Sequence, residues 1–217
     1  MNNYSKYNIL EICIDLDGGG IDRYLYNYCS RIKNIHFDFA IIDKPNEGIL
    51  EPLIRKCGYE IYKVPRIKDG ILSNYNSMRS IMKAKKYDAV HVHLGPYSLI
   101  SLVCALLCGI KVRLVHAHLA NVPESKINIK IRKALTFLTK LFATDLCACG
   151  IDAAKWVWGE STYNKGMVSV QNNAIITSDY EYNENIRKQI RSRLNIADST
   201  LVVGHVGRIS SQKNQIR

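Results

Sequence analysis

Residues 88–119, DAVHVHLGPYSLISLVCALLCGIKVRLVHAHL, hold two short runs rich in branched residues, DAVHVHL and VRLVHAHL, with a longer apolar stretch between them. Each run is apolar without a polar face, which is the pattern of a strand covered on both sides in a parallel sheet. The same alternation extends outward in both directions. NILEICI, FDFAII and YEIYKV precede it, TDLCACG and MVSVQNN follow, and LVVGHVG closes the series, with helical stretches between. Strands alternating with helices predict a doubly wound α/β fold with a mostly parallel sheet. Ligands of such sheets bind beyond the carboxyl ends of the strands, so chemistry is expected in DLDGGG, HLGPY, HAHLAN, CG and GRISSQK.

The charged, helix-patterned segment 179–196, DYEYNENIRKQIRSRLNI, separates MVSVQNN from LVVGHVG and reads as a crossover. It places a boundary near Ala174. Residues 1–174 are expected to form one complete domain, and residues 175–217 a crossover helix and the first strand of a second domain that is begun and not completed.

A net charge of +11 favours anionic partners such as nucleotide diphosphates, anionic lipid or nucleic acid. The basic residues are dispersed through helices and lack an aromatic-interleaved strand face, which ranks nucleic acid last and leaves it out of the expected partners. The seven cysteines form no C-x-x-C pair and sit mostly in apolar runs, as Cys13, Cys104, Cys108, Cys147 and Cys149 do. They read as reduced core residues of a cytoplasmic protein. MNNYSKYN has no signal-peptide core, and the run from Leu99 to Ile110 is shorter than the ~18 residues of a spanning helix. The chain is therefore expected to be soluble or peripheral on a membrane.

Five features could carry chemistry. Gly18-Gly19-Gly20 ends the first strand and opens a helix from Ile21 to Lys33, whose free N–H groups would face an anion or a sugar hydroxyl; a plain tight turn explains the glycines equally well. Asp15-Leu16-Asp17 is a D-x-D triplet, read as a polar turn and assigned no metal. His91-x-His93 and His116-x-His118 put two imidazoles each on one face of strands that could be neighbours. Four imidazoles could bind zinc, yet no cysteine or carboxylate has matching spacing, and one of each pair reads as a hydrogen-bonded histidine at the rim of the core. His118, nearest the loop, is the best candidate for touching substrate. The segment from Ser125 to Ala143 places Ile127, Ile131, Ala134, Leu135, Leu138, Leu141 and Phe142 along one helical face. That stripe is expected to pack on the sheet, while a cationic outer face with Ile129 and Phe137 among it could rest on an anionic membrane. Gly207, Arg208 and Lys213 follow the last apolar run and suit a diphosphate, with backbone close to the anion and two cations on it.

Taken in order, LDGGGIDRYLYNY, HFDFAII, YDAVHVH, VRLVHAHLA, CACGIDAAKWVWG, VQNNAI and GHVGRISSQKN resemble the family 4 glycosyltransferases of the two-Rossmann-domain (GT-B) type, in the exopolysaccharide and capsule subgroup. The resemblance covers essentially the whole chain. Only the GR-x4-KN element is specific by itself; the collinear set carries the rest.

The resemblance implies sugar transfer from a nucleotide-diphosphate donor to a saccharide or lipid-linked acceptor, with retention at the anomeric carbon and without metal or other cofactor. It implies that residues 1–174 are the Rossmann-like acceptor-side domain, that Gly19, Gly20 and His93 line the cleft, and that His118 contacts the donor sugar. Arg208 and Lys213, with Gly207, would stabilise the departing diphosphate. Leu119 and Gly150 depart from the pattern, where the subgroup often has Asn and Ser. The family's E-x7-E element and base pocket fall beyond Arg217, so the 217 residues alone are expected to be inactive or nearly so. The alternative is a non-catalytic binding module or half of a split enzyme, completed by a separately encoded domain and docked on an anionic membrane through Ser125 to Ala143.

Overall fold

The computed structural model describes residues 6–120, 125–207 and 209, and divides into two compact units, Met1–Ile175 and Ile176–Arg217. In the first unit, β1 (Tyr7–Ile12), α1 (Gly20–Cys29), β2 (Ile35–Ile42), α2 (Glu51–Lys56) and β3 (Ile61–Val64) are followed by α3 (Ile71–Ala84), β4 (Ala89–Val92) and α4 (Leu99–Leu107). β5 (Val112–Ala117), α5 (Lys126–Phe142), β6 (Asp145–Ala148), α6 (Ile151–Ala153), α7 (Glu160–Asn164) and β7 (Val168–Val170) complete it, with a π-helical turn at Ala154–Trp158.

The seven strands pair in parallel in the order β3-β2-β1-β4-β5-β6-β7. This is the doubly wound arrangement expected from the alternating runs. The order reverses between β1 and β4, and a crevice opens there at the carboxyl ends of the strands.

Period-two alternation assigns the two faces of the sheet. Leu10 and Ile12 of β1, Val90 and Val92 of β4, and Val115 and Ala117 of β5 enter one core together with Met78, Leu102 and Trp158. Phe37, Phe39 and Ile41 of β2 enter the other core with Tyr24, Leu25 and Cys29 of α1. Trp158 is the largest fully buried side chain, and its indole N–H donates to the Cys147 carbonyl at 2.9 Å. Asp38, buried on the opposite face of β2, accepts from Lys85 Nζ at 2.7 Å, the Tyr87 hydroxyl at 2.8 Å and the Glu60 N–H at 3.2 Å. Burial alone would raise its pKa, but these donors hold the carboxyl below its ordinary value.

Three expectations are corrected. Most of the apolar stripe of α5 does not pack on the sheet: Phe142 meets the first core, but Ile127, Ile131, Leu138 and Leu141 are exposed, and the buried residues are Arg132, Thr136 and Thr139. The polar side faces inward because it supplies donors to main-chain carbonyls of neighbouring segments. Arg132 Nη1 donates to the Trp156 carbonyl at 3.1 Å, Thr139 Oγ1 to Pro96 O at 2.9 Å, and Lys140 Nζ to Trp158 O at 3.2 Å. LVVGHVG forms no strand. Leu201, Val203 and Val206 are exposed, because the described residues of the second unit give an extended segment no neighbouring strand to pair with. The helix after the glycines runs over Gly20–Cys29 and stops short of Lys33.

The second unit contains a 3-10 turn at Thr177–Tyr180 and α8 (Glu184–Arg193), which falls within the expected crossover segment. Its Arg187 pairs with Asp198 at 2.6 Å. No helix among the described residues is long and apolar enough to cross a membrane.

Candidate functional site

Four histidines and one glutamate meet at the point where the strand order reverses. Parallel pairing sets Glu11 of β1 beside His91 of β4, and one step further along the adjoining strand ends His93 comes beside His116. The two-residue spacing within each pair keeps all five side chains on one sheet face. Glu11, His91, His93 and His116 are buried, and His118, just past β5, is partly exposed.

Glu11 organises the group. Its Oε2 lies 2.8 Å from His93 Nε2 and 3.1 Å from His91 Nδ1. Burial would raise the carboxyl's pKa, but His91 and His93 outweigh burial and bring it down to about 2. As an anion it can only accept, so His93 Nε2 and His91 Nδ1 each donate a proton to it. His93 Nδ1 is then a lone pair, 2.8 Å from His118 Nε2, which must donate. His116 Nδ1 lies 3.3 Å from His91 Nε2 and donates to its lone pair, which leaves His116 Nε2 as a bare acceptor. That assignment is favoured because a buried acceptor without a partner costs less than a buried donor without one.

Burial and neighbouring imidazoles make His93, His116 and His118 hard to protonate. Burial and the adjacent His91 lower the pKa of His93 to about 4, against the pull of Glu11. Burial and His93 lower His118 to about 3, and burial and His118 push His116 far below the ordinary range. At neutral pH His93, His116 and His118 are hydrogen-bonding groups and not proton donors of the imidazolium kind.

Tyr24 of α1 roofs the cluster, with its ring edge-on to His116 at 5.1 Å and to His118 at 5.5 Å between centroids. Its hydroxyl donates to Gln171 Oε1 at 2.8 Å. Asn27 Nδ2 donates to Ala174 O at 2.8 Å and the Tyr28 hydroxyl to Asn172 O at 2.9 Å, so α1 is tied along its length to the segment leaving β7.

His93 and His118 open onto a cleft of about 490 Å³ beyond the strand ends, lined among others by Ile14, Ile21, Arg66, Met78 and Leu119. Its walls are largely apolar, with the two histidines, Arg66, Lys68, Asn74, Ser101 and the Tyr97 hydroxyl among the polar groups, a composition common in ligand sites.

The structure thus brings together His93 and His118 and places Gly20 at the start of α1, one residue before cleft-lining Ile21. The N–H groups of Gly18 and Gly19 are not free for a ligand: both donate to Asp22 Oδ2, at 3.0 and 2.8 Å. The expected external anion is supplied there by the chain itself, three residues into its own helix. Asp15 and Asp17 are a polar turn, both holding Lys44 Nζ, at 2.6 and 2.7 Å. Gly207 is exposed in the second unit, and Arg208 and Lys213 lie outside the described residues. Every cysteine is free.

Sequence reasoning missed Glu11, Tyr24 and Gln171. Glu11 had a signal: a lone carboxylate inside the apolar run NILEICI must be paired where both faces are covered.

No protein-family model matches the chain. It is similar to a curated protein of Bacillus subtilis (strain 168) described as "Putative glycosyltransferase EpsF", with 26% identity over 98% of this chain and 56% of the relative. Among solved structures it resembles Anabaena HepE in complex with UDP-glucose, with a TM-score of 0.73 and 16% identity, over 97% of this chain and 55% of that one. UDP-GlcNAc 2-epimerase from Neisseria meningitidis bound to UDP-GlcNAc also resembles it, with a TM-score of 0.56 and 15% identity, over 89% of this chain and 55% of that one. The chain spans about half the length of the relatives it matches. The fold is that of the N-terminal half of a GT-B protein, in agreement with the resemblance read from the motifs.

Proposed function

We propose that the chain forms the acceptor-side half of a glycosyltransferase of surface polysaccharide biosynthesis, which transfers a sugar from a uridine-diphosphate donor with retention. The observation that carries this is His118 at the mouth of the cleft, its Nε2–H fixed by His93, which Glu11 fixes in turn. With Nε2 committed, Nδ1 is the nitrogen left to accept a hydrogen bond, and a donor-sugar hydroxyl is the group that would give one. A ring held neutral and oriented can position a sugar without protonating the leaving group. Charge growing on the departing diphosphate would be met by Arg208 and Lys213, with Gly207 allowing close backbone approach. Gly20 and His93 would border the acceptor, with Gly19 shaping the turn that carries them. No step in this scheme calls on a metal or other cofactor.

The UDP-GlcNAc 2-epimerase shares this fold, so fold alone does not select transfer; sequence similarity to the B. subtilis protein favours it. The deciding assay follows labelled sugar from UDP-glucose or UDP-GlcNAc with the chain alone and with the chain joined to a donor-binding half like that of its relatives. Transfer by the joined protein only, abolished by His118→Ala, is expected. Undiminished transfer in His118→Ala would remove the histidine from the mechanism, and epimerisation without acceptor would replace the proposed reaction.

The outward stripe of α5 supports a peripheral membrane site on the same domain. Ile127, Ile131, Leu138 and Leu141 face solvent, flanked by Phe137 and by Lys126, Lys130 and Lys133. A helix that hides its polar side and shows apolar groups beside cations suits an anionic bilayer surface, where a lipid-linked acceptor would reside.

A further inference from the structure

We propose that His91, His93 and His116 bind one divalent transition-metal cation of the zinc class, with Glu11 ordering two of the ligands from behind. The three rings are buried on adjacent strands and offer ligand atoms that all lie within 4.8 Å of one another.

The proton inventory prepares these rings for a metal. Glu11 accepts from His91 Nδ1 and His93 Nε2, so the lone pairs of His91 Nε2 and His93 Nδ1 are the ones left to bind a cation. A carboxylate that holds the far nitrogen of a ligating imidazole fixes its tautomer and strengthens it as a ligand. Here one carboxylate does so for two rings.

Spacing agrees. His91 Nε2 and His116 Nδ1 are 3.3 Å apart, and two nitrogens each ~2.0–2.1 Å from a tetrahedral zinc are separated by about the same distance. His116 Nε2 is buried with no hydrogen-bond partner, so the protein leaves this ring's bonding capacity unfilled. A cation at Nδ1, beside His91 Nε2, takes the place of the proton shared there, and that proton moves to Nε2, where the ring's unfilled capacity lies. Imidazole donors select zinc, copper, nickel or cobalt over magnesium or calcium.

Occupancy has a consequence for the neighbouring ring. The lone pair of His93 Nδ1 now accepts from His118, and a metal on that nitrogen ends the bond. If His118 positions the donor sugar, as proposed above, metal binding loosens it. The metal site itself does not depend on that role.

The experiment is titration of the chelator-stripped 217-residue chain with Zn2+ by calorimetry, and with Co2+ by visible absorption. One Zn2+ per chain and a Co2+ spectrum of low coordination number are expected. His91→Gln and His116→Gln should each abolish stoichiometric binding, and Glu11→Gln should weaken it roughly 10- to 100-fold. A control carrying Cys57→Ser and His205→Gln, neither of them a proposed ligand, should bind as the parent does. Absence of stoichiometric binding, or binding lost in the control and kept in the histidine variants, overturns the proposal. Should the variants fail to fold, nitrogen-15 NMR of the parent decides. Zn2+ must shift the ring nitrogens of His91, His93 and His116; shifts confined to His36 or His205 refute the site.

Discussion

Replacing Phe137 by glutamate on the outward flank of α5 tests whether that face meets a membrane. Phe137 and Leu141 are each 63% exposed, Ile127 61%, Ile131 48% and Leu138 37%. Full burial of such a side chain contributes about 2 kcal/mol, so these exposed fractions together leave about 5 kcal/mol available to a bilayer interface. Lys126, Lys130 and Lys133 add about 1 kcal/mol each near an anionic surface. Phe137→Glu removes about 1 kcal/mol of apolar gain and opposes the surface charge by about another 1 to 2, which predicts a fall of roughly 30- to 150-fold in partitioning. Because Phe137 touches little of the fold, the thermal midpoint should not move. Co-sedimentation with phosphatidylglycerol vesicles, against phosphatidylcholine vesicles and across a salt series, measures the partition. The parent should bind the anionic vesicles and release them as salt rises. If it binds neither kind, or if Phe137→Glu binds as the parent does, the stripe serves something other than a membrane.

Three further outcomes follow from the packing. Trp158→Ala, which empties a fully buried site and orphans the Cys147 carbonyl, should cost about 3 to 5 kcal/mol in urea unfolding; a loss under 1 kcal/mol would mean that the site collapses freely. Asp22→Ala, which strips the partner from the Gly18 and Gly19 N–H groups, should cost about 0.5 to 2 kcal/mol, and Asp22→Asn should recover part of it. In chelator-treated protein, stability should be full above pH 6.5 and fall on acidification. His93 titrates at 6.5 unfolded and about 4 folded, and Glu11 at 4.5 unfolded and about 2 folded, so the unfolded chain binds more protons throughout that window. Each contributes about 3 kcal/mol, less where the two are coupled, and a urea midpoint that stays flat from pH 7 to 4 would contradict the buried network.

The sheet was legible because short apolar runs rich in branched residues suit strands covered on both faces, and the seven such runs before residue 175 are strands. The eighth, LVVGHVG, shows the limit: strand propensity is realised only against neighbours. Periodicity found the apolar stripe of α5 but could not say which side faced inward. The answer depended on Arg132, Thr139 and Lys140 meeting carbonyls at Trp156, Pro96 and Trp158, contacts between segments distant in sequence. The histidines were visible as two pairs. Their joining through Glu11 was not, because it required the strand order that sets β1 beside β4. Likewise the glycine triplet suggested an anion site, and the carboxylate that fills part of it stood in plain view as Asp22.

Tyr24 stands between the histidine cluster and the segment that leaves β7. Its ring bears on the histidines, and its hydroxyl holds Gln171 at the point where the chain leaves the sheet. Strain applied to residues 171–174 therefore has a route to His118 through the Tyr24 ring, beside the one through the strands. Removing only the oxygen, as in Tyr24→Phe, cuts this lever and leaves its fulcrum in place.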